Sequence, residues 1–320
     1  MSRRRLAVAL LAPIALLSGC LDNGSAPNDA APRRPISTTT TTEPFPPSEP
    51  WTPTPNEIEP ELKQAAADTL AALFTYEAAA GTVEAARLRL AGAPAAPEVA
   101  DGVAALLDPE AQGAADVIYP QMGGFTGTRA SAMVVTRLRW RANKVDRSEL
   151  RTLDVRLVRR SGAWRVEEVA SLGGAPPAEQ AAQPPAAQRV LDHPNIDLPD
   201  SGRWDIANGR VSVRLLEVMA SLADEYKIRV AVLSAGHPPQ VFGTGRTSNH
   251  ARGRAVDIWW VDGPVVEQRD PNGPLAPVVL QLLEAGVTEL GAPFSLAGPR
   301  GASFADLVHQ DHLHVGFDAA

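Results

Sequence analysis

Hydrophobic positions along this chain change their period several times, and each change marks a boundary. Leu6 to Leu17 is an apolar run behind Arg3, Arg4 and Arg5, too short to span a bilayer comfortably. From Leu21 to about Asn56 no apolar period survives: the segment is rich in Pro, Thr and Asn, carries the run Thr38 to Thr42, and reads as a disordered tether. Ala65, Leu70, Leu73, Phe74 and Tyr76 then predict an apolar helix beginning near Glu57, and an Ala/Leu-rich stretch from about Val83 to Leu107 predicts further helix. Strict alternation follows in Ala132 to Arg141, Arg151 to Val158 and Gly162 to Val169, which predict antiparallel strands. Gly173 to Gln188 lapses into Ala, Pro and Gln without a period. Beyond about Val190 the helical period returns in Leu215, Met219, Leu222 and Tyr226 behind Ser212. Ile228 to Leu233 predicts a β-branched strand, Leu275 to Ala285 a helix stopped by Gly286, Val287 to Leu290 a short strand, and Leu313 to Phe317 a last one.

These boundaries define a leader over 1–20, a Pro/Thr-rich tether over 21–56, an α+β domain over 57–172, an Ala/Pro linker over 173–189, and a small α+β domain over 190–320. A length of 320 residues is too great for one ordinary domain, and 44% hydrophobic residues supports real cores. Thirteen of the 29 prolines fall in the two aperiodic stretches, 21–56 and 173–188, which therefore read as segments that cannot order themselves. A net charge of −7 argues against nucleic acid or an anionic lipid surface as the main partner. The one cysteine excludes an internal disulfide.

Its position is more informative. Leu17-Ser18-Gly19-Cys20 closes the leader and resembles a bacterial lipobox. The resemblance implies cleavage before Cys20, acylation of its thiol, and anchoring at the extracytoplasmic face of the cell membrane, where two acyl chains suffice for stable residence. Extended Pro-rich chain rises about 3 Å per residue, so the tether would reach up to roughly 100 Å, far enough for a cell-wall substrate. Helices followed by a curved antiparallel sheet that ends in Gly162-Ala163-Trp164-Arg165-Val166 resemble the NTF2-like α+β fold of exported actinobacterial lipoproteins. No acid, base or ligand cluster falls in 57–172, so a spacer or protein-binding role is expected there, with Arg137, Arg139 and Arg141 forming a solvated strand face.

Five of the six histidines fall between His237 and His314. Zinc in a catalytic site takes three protein ligands, imidazoles and a carboxylate, and keeps a fourth position open for water. In Ser248-Asn-His250-Ala-Arg-Gly253-Arg-Ala255-Val-Asp257 the strand period puts Asp257 on the face of Ala255 and Trp259, with Val256 and Ile258 toward the core. Gly253 permits the bend that brings His250 back toward Asp257. In Asp311-His312-Leu313-His314 the two histidines share a face. Trp259 and Trp260 offer an aromatic wall for a ligand, although consecutive strand residues face opposite ways and one belongs to the core. His193 reads as a surface loop residue, and His237 and His309 hold no position that demands a metal.

The pattern Ser248-x-His250-x-x-Gly253-x-Ala255-x-Asp257 with a terminal His-x-His resembles the Hedgehog/D,D-peptidase superfamily, above all the zinc D-alanyl-D-alanine carboxypeptidases and L,D-endopeptidases of bacterial walls. It covers about residues 190 to 320. The resemblance implies zinc held by His250, Asp257 and His314, a water whose pKa falls toward about 7, and a peptidoglycan stem peptide as substrate. Two residues are candidates for the general base. Asp311 stands where the carboxypeptidases carry Glu, three residues before the last ligand; His312 stands where the lysostaphin-like enzymes carry a base histidine. One departure is plain: relatives carry Ser-Gly-Tyr-Arg upstream, where this chain has Ser234-Ala235-Gly236-His237. Arg246, Arg252, Arg254 and His237 are the candidates to replace that arginine; His237, Arg246 and the motif residue Ser248 are the candidate substrate-binding residues. The expected protein is a lipid-anchored zinc metallopeptidase. The alternatives are a wall- or partner-binding module on the peptidase fold, and an assembly lipoprotein whose N-terminal domain does the work.

Overall fold

Residues 39–40, 44–179 and 181–318 are described by a computed structural model, and all of them fall in one compact unit, 36–320. The leader, Cys20 and the first part of the tether lie outside the described residues. A two-residue strand β1 (Thr39–Thr40) comes first, followed by residues 44–56, which carry no helix or strand but are held against the body. Phe45 lies beneath the guanidinium groups of Arg139 and Arg141, Arg139 donates to the carbonyl of Pro46, and Thr54 and Asn56 both donate to the carboxylate of Glu267.

Leu62, Ala66, Leu70 and Leu73 recur at helical spacing and bury one face of α1 (Pro60–Phe74), which starts on proline, a residue whose fixed φ suits a first turn. The helix expected over 83–107 is broken into α2 (Val83–Leu90), α3 (Val99–Gly102) and a single 3₁₀ turn (Ala104–Leu106). Gly92, Pro94 and Pro97 break it: proline lacks the N–H a helix interior needs. Four long strands follow, β2 (Gln112–Phe125), β3 (Arg129–Ala142), β4 (Val145–Arg160) and β5 (Ala163–Ser171), all antiparallel. β3 lies between β2 and β4, while β1 and β5 both pair with the other edge of β4. β2 escaped the periodicity because Gly113, Pro120, Gly123 and Gly124 interrupt its alternation.

The C-terminal half holds α4 (Pro185–Asp192), β6 (Ile196–Asp197), α5 (Asp200–Ala207), α6 (Val213–Ala223), β7 (Ile228–Val232), β8 (Ala255–Val261), α7 (Leu275–Glu284), β9 (Glu289–Gly291), a small hairpin of β10 (Ala297–Gly298) and β11 (Gly301–Ala302), and β12 (Leu313–Gly316). α4 begins within the span expected to be linker. Ser212 caps α6 by accepting from the amide of Leu215, and Gly286, at φ +79°, ends α7 as its position implied. The second sheet has the order β6-β7-β8-β12-β9, parallel only between β6 and β7. The described residues thus form a mixed α+β fold with seven α-helices, none long and apolar enough to cross a membrane.

Each half has its own apolar core, and a third small cluster of Tyr119, Val135, Ala231 and Trp259 joins them. Tyr119 stacks on Trp259 with ring centroids 4.7 Å apart, so Trp259 is part of this seam, while Trp260 is half-buried beside Arg229. Thr152 Oγ1 donates to the carbonyl of Ala231 across the same seam. β2 reaches the seam because of a bulge between Val117 and Tyr119. Ala115 and Val117 face the N-terminal core, and unbroken alternation would send Tyr119 and Gln121 there too; the extra residue Ile118 turns both toward the C-terminal half.

Candidate metal centre

Antiparallel pairing of β8 with β12 places His314 directly opposite Asp257. Val256 and Ile258 point the other way into the C-terminal core, as do Leu313 and Val315, so the core residues fix which face carries the polar pair. His250 arrives from the turn before β8. Its amide donates to Ser248 Oγ, its carbonyl accepts from the amide of Gly253, and Gly253 sits at φ +66°. A Cβ on Gly253 would lie 1.7 Å from the carbonyl oxygen of Arg210, so glycine is required there on two counts.

His250 Nε2, Asp257 Oδ1 and His314 Nδ1 form a triangle with edges of 3.1, 3.2 and 3.0 Å. The partners on the far side of each ring set which nitrogen is turned toward the triangle. His250 Nδ1 donates to the carbonyl of Leu233, and His314 Nε2 lies 3.4 Å from Glu289 Oε2. His237 stacks on His250 with centroids 3.9 Å apart and donates from Nδ1 to the carbonyl of Pro238. His237, His250 and Asp257 each offer a ligand atom within 4.8 Å of the others, a group that could hold a metal ion. The sequence had placed His237 only among residues that contact substrate.

Electrostatics favour positive charge at this place. Burial and the neighbouring His250 push the His237 imidazole well below its ordinary pKa, so it is neutral with a lone pair to offer. Burial raises the pKa of Asp257, yet His250 and His312 outweigh it and hold the carboxylate well below its usual range. Burial alone would lower His314; hydrogen bonds to Asp257 and Glu289 overcome that and push it up to about 9.

Asp311 and His312 stand beside the triangle with distinct environments. His312 Nδ1 lies 2.7 Å from Asp311 Oδ1, which leaves His312 Nε2 facing Asp257 Oδ2 at 3.8 Å. Asp311 is fully buried, and its Oδ2 accepts from the Lys63 ammonium and from the amide of Met122. Both carboxylate oxygens are therefore occupied. Burial favours the neutral acid, but Lys63 and His312 hold Asp311 below the normal carboxylate range.

The other expected site residues fall further out. Ser248 is buried and holds the turn of His250 by accepting from its amide. Arg246 is exposed and donates to Glu289 Oε1, whose other oxygen accepts from Asn249. Arg252 is exposed and Arg254 donates to the carbonyl of Asp318. His309, paired with Asp306, packs against both His312 and His314 with ring centroids 5.0 and 5.6 Å away. Sequence reasoning missed Lys63, Gln121 and Glu289. Gln121 Nε2 donates to Asp257 Oδ2 at 2.7 Å, across 136 positions of sequence. One signal did exist: Lys63 precedes Ala66 and Leu70 by three and seven positions, a cation on the apolar stripe of α1.

Comparison of the chain with protein-family models, with curated proteins and with solved structures found no match in any of the three.

Proposed function

We propose that this chain is a zinc peptidase acting on peptidoglycan stem peptides, held at the extracytoplasmic face of the membrane by a lipid on Cys20. The observation that carries the reading is the triangle of His250 Nε2, Asp257 Oδ1 and His314 Nδ1. Three donors on a tetrahedral zinc at about 2.0–2.1 Å stand roughly 3.3–3.4 Å from one another, close to the observed edges of 3.0 to 3.2 Å. Zinc held there would supply a Lewis acid that brings the pKa of water toward neutrality. The sequence pattern around His250 and Asp257, and the resemblance it carries, supplies the substrate class.

His312 is the general base in this reading. Its Nδ1 proton is committed to Asp311, so Nε2 carries the lone pair that takes a proton from water and returns it to the leaving amine. Asp311 orients that ring, as the carboxylate does in a hydrolase triad. The two candidates left open by the sequence thus take complementary roles. His237, neutral and packed on His250, stands where the usual arginine would be and lines the same cluster. The test is purified full-length protein loaded with zinc: about one ion per chain and chelator-sensitive release of D-alanine or a shortened stem peptide from purified wall. Intact muropeptides after prolonged incubation would overturn it.

A second reading is a wall-binding module on the same fold, favoured by one observation: Arg246, one of the candidates to replace the upstream arginine, donates to Glu289. Wall binding without hydrolysis, unchanged in His312→Ala, would select it.

A further inference from the structure

We propose that Lys63 and Gln121, both in the N-terminal half, are positioning residues for the site in the C-terminal half, Lys63 by fixing Asp311 behind His312 and Gln121 by fixing the carboxylate of Asp257. For the kinetic part this rests on the hydrolase reading above; for the metal-affinity part it needs only that the triangle binds zinc. Lys63 is fully buried in α1 yet reaches Asp311, 248 positions away, and the amide of Met122 on β2 holds the same carboxylate oxygen at 2.9 Å. Two groups of the N-terminal half therefore anchor one oxygen of Asp311, and the other oxygen sets the ring of His312. Gln121 Nε2 holds Asp257 Oδ2 at 2.7 Å and so leaves Oδ1 to face His250 and His314. His312 Nε2 faces that same Oδ2 from 3.8 Å, beyond hydrogen-bond reach, so it is the amide of Gln121 and not the imidazole that holds the oxygen. The bulge in β2 exists at the point where Gln121 must turn toward the partner half. The site is thus composite: the zinc ligands come from one half and the groups that orient them come partly from the other.

A role as interface glue alone gives a different pattern, in which any seam substitution lowers stability and leaves metal affinity and turnover intact. The experiment compares full-length Gln121→Met, Lys63→Met and the seam control Thr152→Val, which loses the hydrogen bond to Ala231 outside the site. Zinc affinity is read by competition with a chromophoric chelator, without turnover. Gln121→Met is expected to bind zinc about 10–100-fold more weakly, the usual effect of losing an outer partner of a ligand. Lys63→Met is expected to lower kcat by about 10–100-fold with KM nearly unchanged, and to replace the single Nδ1-protonated tautomer in the ring ¹⁵N spectrum of His312 by a mixture. Thr152→Val is expected to change none of these. Should Lys63→Met fail to fold, Lys63→Met/Glu57→Gln removes two of the three buried charges, leaving only Asp311, and is read in the same way.

If the parent binds zinc and turns over while Gln121→Met and Lys63→Met match it, the positioning roles are overturned and the hydrolase reading stands. If the parent binds zinc without turnover, the hydrolase reading falls, and zinc affinity with the His312 spectrum decides the positioning roles. A parent that binds no zinc overturns both.

Discussion

Replacing His250 by alanine separates a metal ligand from an ordinary buried histidine. Its ring is fully buried, stacked on His237 and bonded to the carbonyl of Leu233. Removing it opens a cavity and orphans that carbonyl, so the zinc-free fold loses about 2–4 kcal/mol whichever reading holds. The diagnostic quantity is the increment that zinc adds. With free zinc at 100 times the dissociation constant a parent that binds it gains about 2.7 kcal/mol, which is roughly a 5–10 °C rise in melting temperature for a unit of this size. Loss of one donor in three weakens binding by more than the about 100-fold upper range seen for an outer partner. At the same free zinc the increment then falls below about 0.4 kcal/mol, or about 1 °C. Differential scanning calorimetry of parent and variant, each with a chelator and with buffered zinc, gives both increments directly. A variant that melts lower but keeps the parent's full zinc increment would refute the assignment, because the ion would then be held elsewhere.

Asp311→Asn is expected to reduce hydrolysis by about 10²–10⁴-fold while leaving zinc affinity within about threefold, since Asp311 is no ligand; steady-state assays and chelator competition check the two halves of that statement. Gly253→Ala places a side chain on the backbone of Arg210 at a positive φ, so a loss exceeding the about 1–3 kcal/mol of strain alone is expected in urea unfolding, together with loss of zinc binding as the turn of His250 moves. Trp259→Ala removes the stack on Tyr119 and is expected to lower stability by about 3–5 kcal/mol. Limited proteolysis read by mass spectrometry should then show faster cleavage between the halves, within residues 172–184.

What the sequence revealed follows how local each signal is. His250, Gly253 and Asp257 lie within one turn and strand, and β12 carries His314 at a fixed period, so the triangle needed only the β8 and β12 pairing that core residues such as Val256 and Val315 enforce. Helices α1, α6 and α7 were legible for the same reason, because their apolar faces repeat every three to four residues. β2 was not, because its glycines, its proline and its bulges belong to a strand shaped by a partner surface far away in sequence. Ser248 stands among the candidate substrate contacts, and what the structure adds is that its hydroxyl accepts from the amide of His250. Lys63 and Gln121 could not be assigned from the C-terminal pattern at all, since what gives them meaning is a contact 248 and 136 positions away.

The buried cluster of Lys63, Glu57 and Asp311 sharpens the choice between stability and positioning. All three are almost wholly removed from solvent. Desolvating an ion pair consumes much of its Coulombic gain, and apolar replacements of matching volume are often neutral or more stable. Stability therefore gives no reason to prefer a lysine at position 63 over a methionine with neutral partners. Geometry does give one: an ammonium with three donors can join Glu57, Tyr119 and Asp311 at once, and that junction leaves Asp311 a single orientation toward His312. A fragment comprising only residues 190–320 would keep every donor of the triangle and lose Gln121, which holds Asp257 Oδ2, so weak zinc binding by such a fragment would measure the missing half and not the quality of the ligands.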